Sequence, residues 1–208
     1  MTEIIEPNPL LLEYLSIAGG LFTDFDGGLK EFVNNEEWHY IPSELEQNIY
    51  LIKRLNDKEL LSENNSLFDC GIGLATTMFD LYLQSKDIKN KTFTFSGVEK
   101  YKKYLDYLNE KLLYFWEGNL NVIEGDIMDQ NYSNYNLIYT YSPFKTTDKL
   151  TEFYNKIVND IKPGSLIIES RNYGKGLNDT LSNIDGLDEI EIDDIFIYRE
   201  HLHHIEII

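Results

Sequence analysis

Leu67-Phe68-Asp69-Cys70-Gly71-Ile72-Gly73-Leu74-Ala75-Thr76 is the stretch that decides how this chain folds. Ser66 to Asp69 reads as a short strand and Ala75 to Lys86 as a helix, so the glycines lie on the turn between them. Gly71 supplies the tight turn. Gly73 lets a ligand approach the backbone with no Cβ in the way, and Ala75 takes the third small position, where the helix packs close. By spacing alone the pattern is weak, because a close-packed strand-to-helix turn with no ligand reads the same way.

Downstream, short apolar runs alternate with helical patterns. Thr92 to Val98 is rich in β-branched and aromatic residues and reads as a strand, followed by a helix over Tyr101 to Phe115. Asn121 to Glu124 and Asn136 to Tyr141 are strands, Asp148 to Ile161 a helix, Pro163-Gly164 a turn and Ser165 to Ser170 a strand. Such alternation predicts a parallel sheet covered by helices on both faces. The end differs: Ile190 to Ile192, Ile195 to Arg199 and His203 to Ile207 are strand-like with no good helix between them, which predicts an antiparallel edge. Upstream, residues 8 to 62 read as helical, interrupted at Asp26-Gly27-Gly28 and at Tyr40-Ile41-Pro42-Ser43. The expected fold is therefore one α/β domain, a doubly wound Rossmann-like sheet of about seven strands, mostly parallel with an antiparallel edge strand. A helical N-terminal extension over 1–62 precedes the α/β core at 63–208.

Three acids sharpen the reading. The second strand ends Gly97-Val98-Glu99, placing a carboxylate 26 positions beyond Gly73, near the spacing of a ribose-binding acid. Glu99 could accept from both ribose hydroxyls and would repel a 2′-phosphate. As a ligand-facing group it is expected to contribute little to stability. The third strand ends Glu124-Gly125-Asp126-Ile127, where Asp126 could accept from an adenine amine while Ile127 packs on the ring. Any one of these acids alone would more often be a surface residue. Together with Asp69 they stand at the carboxyl ends of three consecutive strands, where open α/β sheets bind ligands.

At these residues the chain resembles the class I S-adenosylmethionine-dependent methyltransferases. Asp69-Cys70-Gly71-Ile72-Gly73-Leu74-Ala75 is similar to their first motif, an acid followed by Gly-x-Gly-x-Gly, with Ala75 in place of the last glycine. The resemblance covers roughly residues 40 to 208 and implies S-adenosylmethionine as cofactor. It places Asp69 near the methionine end with Gly71 and Gly73 beside it, Glu99 at the ribose, and Asp126 and Ile127 at the adenine. A further similarity is to the small protein-lysine methyltransferases of the ATP-synthase c-subunit type. It rests on Tyr40-Ile41-Pro42-Ser43, on Gly97-Val98-Glu99, and on Tyr141-Ser142-Pro143-Phe144 in the catalytic-loop region. That last segment matches the Asn/Asp-Pro-Pro-Tyr loop of planar-amine methyltransferases poorly: Tyr141 replaces the amide residue and Ser142 the first proline.

Composition narrows the partners. The formal net charge of −18 would repel a phosphate backbone, so nucleic acid is disfavoured as acceptor, and a protein or small-molecule acceptor is expected. Lys100, Lys102 and Lys103 read as a solvated helix face. The single Cys70 excludes an internal disulfide and a cysteine zinc cluster, and no apolar run approaches the roughly 20 residues of a membrane span. The expectation is a reduced, cytoplasmic protein. His201, His203 and His204 lack an apparent third ligand and read as edge-strand residues, so no metal is expected.

If the acceptor is an amine, it must lose its proton, and an aromatic, water-poor channel favours the neutral form. Tyr40, Tyr141 and Phe144 are the candidates for that channel, with Ser142 in the same loop, a backbone carbonyl near Tyr141 to hold the amine, and Glu46 as proton acceptor. Two rival readings belong to other classes. A nicotinamide-dependent oxidoreductase shares the glycine loop, but the consecutive terminal strands are unexpected for it. A catalytically silent ligand-binding domain would suit the acidic surface and would be told apart by its lack of turnover.

Overall fold

In the computed structural model, residues 8–23, 48, 50–141, 143–169, 184–185, 187–192 and 195–200 are described. Strand β1, Asn64–Cys70, is buried without interruption from Leu67 to Cys70. A strand covered on both faces reads as a continuous apolar run rather than an alternation, which places β1 inside a sheet sandwiched by helices. β4 (Leu137–Thr140) and β5 (Leu166–Glu169) are buried at every position for the same reason. β3 (Leu120–Glu124) has no fully buried residue, as befits an edge.

With β2 at Thr92–Glu99, the five strands lie side by side in the order β3-β2-β1-β4-β5, all parallel. Beyond β5 the backbone of β7 (Ile195–Glu200) pairs antiparallel with it, and β6 (Leu187–Ile192) pairs antiparallel with β7. The chain leaves β1 toward β2 on one side and returns to β4 on the other. The order therefore reverses between β1 and β4, and a crevice opens outside the carboxyl ends of those two strands.

One sheet face carries α1 (Pro9–Thr23), α2 (Leu51–Asp57), α3 (Thr76–Ser85) and α4 (Lys102–Tyr107). At its centre Trp116 is fully buried, 5.2 Å from Tyr82 and 5.4 Å from Phe79 between ring centroids. Aromatic pairs at such separations contribute about 0.5–1.5 kcal/mol beyond their buried area. The opposite face carries α5 (Thr147–Asp160), which buries Leu150, Phe153, Tyr154 and Ile157 on Phe68, Ile138 and Ile167. Periodicity predicts one uniform helix over Tyr101 to Phe115. Instead α4 ends at Tyr107, and the winding widens to a π-helix at Leu108–Leu112 before tightening to a 3₁₀-helix at Leu113–Trp116. Leu108, Leu112 and Trp116 are all fully buried by that path. Of the helical reading for residues 8–62, α1 and α2 are seen, and residues 24–47 lie outside the described residues, as does the strand expected at His203 to Ile207.

Candidate cofactor site

The glycine loop between β1 and α3 is built from left-handed residues. Gly71, Gly73 and Ala75 have φ of 97°, 53° and 57°. Glycine adopts these angles without penalty, whereas Ala75 holds a conformation costing an L-residue about 1–2 kcal/mol. A Cβ on Gly71 would meet nothing within 4 Å, so the loop faces open space there.

Strand β2 holds the loop from below. Gly71 and Ile72 both donate from their backbone N–H to the Val98 carbonyl, at 3.2 and 2.9 Å. Gly97 is what lets the loop come so close. A Cβ there would lie 2.6 Å from Ile72 Cδ1 and 2.8 Å from Ile72 Cβ. The Gly-Val-Glu at the end of β2 thus has a steric cause at its first position, which sequence reasoning did not assign.

The third position, Glu99, is 6% exposed, and its two oxygens are already engaged. Oε2 accepts from the Gly73 N–H at 2.9 Å and Oε1 from the Tyr101 N–H at 2.8 Å. Glu99 therefore braces the loop, which corrects the expectation that it contributes little to stability. Asp69, also 6% exposed, ends in the same region. Burial, and then the charge of Glu99, push its carboxyl up to about 8. Two buried acids beside a backbone loop suit a ligand carrying hydroxyls and positive charge.

Asp126 lies just beyond β3 and caps the short 3₁₀ turn Ile127–Asp129, accepting from the Met128 N–H at 2.9 Å. Lys100 Nζ stands 3.1 Å from its other oxygen. Burial alone would raise its pKa, but the Met128 and Lys100 contacts outweigh that and hold it below the usual carboxylate range. Ile127 is partly buried, and its carbonyl accepts from the Tyr132 hydroxyl at 2.7 Å. Asp69, Glu99 and Asp126 thus stand at or just past the ends of β1, β2 and β3, along one edge of the sheet. The set fits S-adenosylmethionine, which offers ribose hydroxyls, an adenine amine, an ammonium and a sulfonium.

The acceptor-side residues are less gathered. Tyr141 is partly buried against the cluster on the α3 face. Phe144 is 5% exposed and packs in the cluster on the opposite face, 5.8 Å from Phe153 in an edge-on pair. The two aromatics thus belong to different cores. Tyr40, Ser142, Glu46 and the segment Tyr40-Ile41-Pro42-Ser43 lie outside the described residues, as do His201, His203 and His204. The described residues contain no group of three His, Cys, Asp or Glu able to hold a metal ion, and no helix long and apolar enough to cross a membrane.

Several polar residues near this sheet edge carry no motif. Asn48 is 1% exposed; its side-chain oxygen accepts from the Tyr139 hydroxyl at 3.3 Å, and its backbone carbonyl accepts from Gln84 at 2.8 Å. Gln84 also donates to Asp80, whose carboxyl burial pushes up to about 6. At the end of β5, Glu169 accepts from the Tyr154 hydroxyl at 2.7 Å with both residues buried. Its signal was available: an acid closing an apolar strand, the same pattern that points to Asp69 and Glu99.

No protein-family profile matches the chain, and no curated protein matches it in sequence. Solved structures do resemble it. A candidate class I S-adenosylmethionine-dependent methyltransferase from Listeria monocytogenes superposes with a TM-score of 0.59 at 14% identity, over 98% of this chain and 73% of that one. A methyltransferase from Geobacter sulfurreducens gives 0.58 at 10% identity, over 96% and 93%. An RNA methyltransferase from Salinibacter ruber, solved with S-adenosyl-L-homocysteine, gives 0.50 at 12% identity, over 77% and 92%. At such identities the likeness speaks for architecture: the chain has the Rossmann-like fold of the class I S-adenosylmethionine-dependent methyltransferases.

Proposed function

We propose that this chain is an S-adenosylmethionine-dependent methyltransferase acting on an amine or another nucleophile, with a protein lysine as one acceptor of that class. The observation that carries the reading is the pair of buried acids Asp69 and Glu99 at the ends of β1 and β2, beside a loop that Glu99 itself holds. The terminal β6–β7 pair is read as the reversed edge of the methyltransferase sheet. The division into an N-terminal cap over 1–62 and a core over 63–208 belongs to the same proposal.

In this reading Glu99 accepts from the ribose, Asp126 accepts from the adenine amine and Ile127 lies against the ring. Asp69 stands near the methionine end, where a cationic group would draw it toward its ionised form. The cofactor supplies a methyl carbon made electrophilic by its sulfonium. Alignment and desolvation of the attacking amine are then the protein's main tasks. A carbonyl near Tyr141 holds the amine, Tyr40 excludes water, Ser142 lies in the same loop, and Glu46 takes the proton. The net charge of −18 favours a cationic acceptor over nucleic acid.

Calorimetry on the purified protein tests the cofactor: S-adenosylmethionine and S-adenosylhomocysteine should bind and NAD should not. Binding of NAD with no response to either adenosyl ligand removes the methyltransferase reading. For the acceptor, methyl label should enter protein or small amines in a cell extract. Label lost on nuclease treatment and resistant to protease would overturn the amine assignment.

A further inference from the structure

Helix α1 is hydrogen-bonded to the glycine loop through Tyr14. Tyr14 is fully buried, and its hydroxyl donates to the Leu74 carbonyl at 2.7 Å. The same oxygen accepts from Trp116 Nε1 at 3.3 Å, which leaves its single proton committed to Leu74. The ring is fixed as well, stacked on Phe79 at 4.2 Å with planes 14° apart and edge-on to Phe115 at 5.3 Å. Neither ring nor hydroxyl has freedom to look elsewhere.

The Leu74 carbonyl is a sensitive place to hold. Leu74 is fully buried and stands between Gly73 and Ala75, at φ of 53° and 57°. At Gly71, Ile72 and Gly73 the loop is anchored to β2 through its N–H groups. Tyr14 supplies the opposite contact, from the helix side and to a carbonyl. We infer that Tyr14 is a positioning residue for the cofactor loop, selecting the orientation of the Leu74–Ala75 peptide and with it the direction in which the loop presents its backbone to the cofactor. The inference rests on the S-adenosylmethionine reading only for the identity of that ligand.

Tyr14→Phe keeps the ring stack and removes the donor. Tyr107→Phe is the matched control, because the Tyr107 hydroxyl ties α1 down elsewhere, donating to the Ile17 carbonyl at 2.6 Å. Two readouts apply to both variants: affinity for S-adenosylhomocysteine by calorimetry, and amide hydrogen exchange of the ligand-free 69–76 segment measured against β4. Tyr14→Phe should weaken S-adenosylhomocysteine at least five-fold and speed exchange in 69–76, while Tyr107→Phe stays within two-fold and leaves that segment's exchange unchanged. A residue with a merely structural role would lower the melting temperature without moving either readout. Unchanged exchange in Tyr14→Phe, or equal effects in both variants, overturns the positioning role. Faster exchange in a chain whose wild type ignores S-adenosylhomocysteine upholds that role and removes the cofactor reading instead. Should Tyr14→Phe not fold, replacing Tyr14 with 4-aminophenylalanine, a weaker donor on the same ring, decides the same question: faster exchange in 69–76 supports the role and unchanged exchange overturns it.

Discussion

Replacing Gly97 with alanine should displace the cofactor loop. The new Cβ would sit 2.6, 2.8 and 3.0 Å from Ile72 Cδ1, Cβ and Cγ1. Cδ1 can swing aside by rotation, but Cβ is fixed to the backbone. Relaxing it to an ordinary carbon–carbon separation of about 3.5 Å or more moves Ile72 by roughly 0.7 Å. Ile72 is 2% exposed and its N–H bonds the Val98 carbonyl at 2.9 Å, so that bond stretches to its limit. Overpacking costs about 1–3 kcal/mol and a weakened hydrogen bond up to about 1 kcal/mol more. The smaller unfolded-state entropy of alanine returns about 0.4–1 kcal/mol. A net loss of about 1–3 kcal/mol corresponds to roughly 2–12 °C in melting temperature for a chain of this size. Affinity for S-adenosylhomocysteine should fall about ten-fold or more, read by calorimetry on the folded variant. Adding Ile72→Ala should recover only part of both losses relative to the sum of the single changes, because it removes Cδ1 and Cγ1 but keeps the colliding Cβ. Gly97→Ala with wild-type melting and wild-type affinity would refute the idea that β2 sets the loop's position.

Asp69→Asn should change how stability responds to pH. The folded carboxyl, pushed up to about 8, lies above its ordinary value, so the fold favours the protonated form. Below pH 4 there is no penalty; from pH 4 to 8 the wild type loses about 1.4 kcal/mol per pH unit through this group, and above pH 8 the loss levels off. Denaturant unfolding at pH 5 and pH 8 should show a smaller decline for Asp69→Asn, and parallel declines would count against a buried acid. Glu99→Ala should lower both ligand affinity, by about 1.5–3 kcal/mol, and the melting temperature, because two backbone N–H groups lose their acceptor; an unaltered melt would show that the loop does not lean on it. Tyr141→Ala should depress turnover far more than cofactor affinity, and equal effects on both would remove Tyr141 from the acceptor side. Phe144→Ala should cost about 3–5 kcal/mol of stability as well, so its kinetics are meaningful only in material shown to be folded by circular dichroism.

The glycine loop was legible because its demands are local. A strand, two glycines and a helix in succession leave few backbone paths, and Gly71 and Gly73 both take positive φ. The acids were legible because strand ends in a parallel sheet share one edge, so their positions in sequence translate directly into space. What escaped depends on contacts between distant segments. Nothing near Gly97 announces Ile72, and nothing near Tyr14 announces Leu74, 60 residues away. The spacing of Leu108 and Leu112 suits an α-helix, so the π-helical turn between them left no trace in the pattern. Phe144 was read as a channel wall because an aromatic after Pro143 can face either side of a loop, and hydrophobicity does not tell which.

The bonds of α1 also bear on how the chain is made. Tyr14 meets Leu74 and Trp116, and Tyr107 meets Ile17, across 60, 102 and 90 residues respectively. Helix α1 is thus synthesised well before any of these partners. At about 5–20 residues per second, its buried row Leu11, Tyr14, Ala18 and Leu21 waits on the order of 5–20 seconds for Trp116 to appear. During that interval a 15-residue helix made almost wholly of uncharged residues has no core to join. Its docking is therefore a late step in folding, and the nascent chain passes through a stage in which α1 is open to capture by a chaperone or by another unfinished chain.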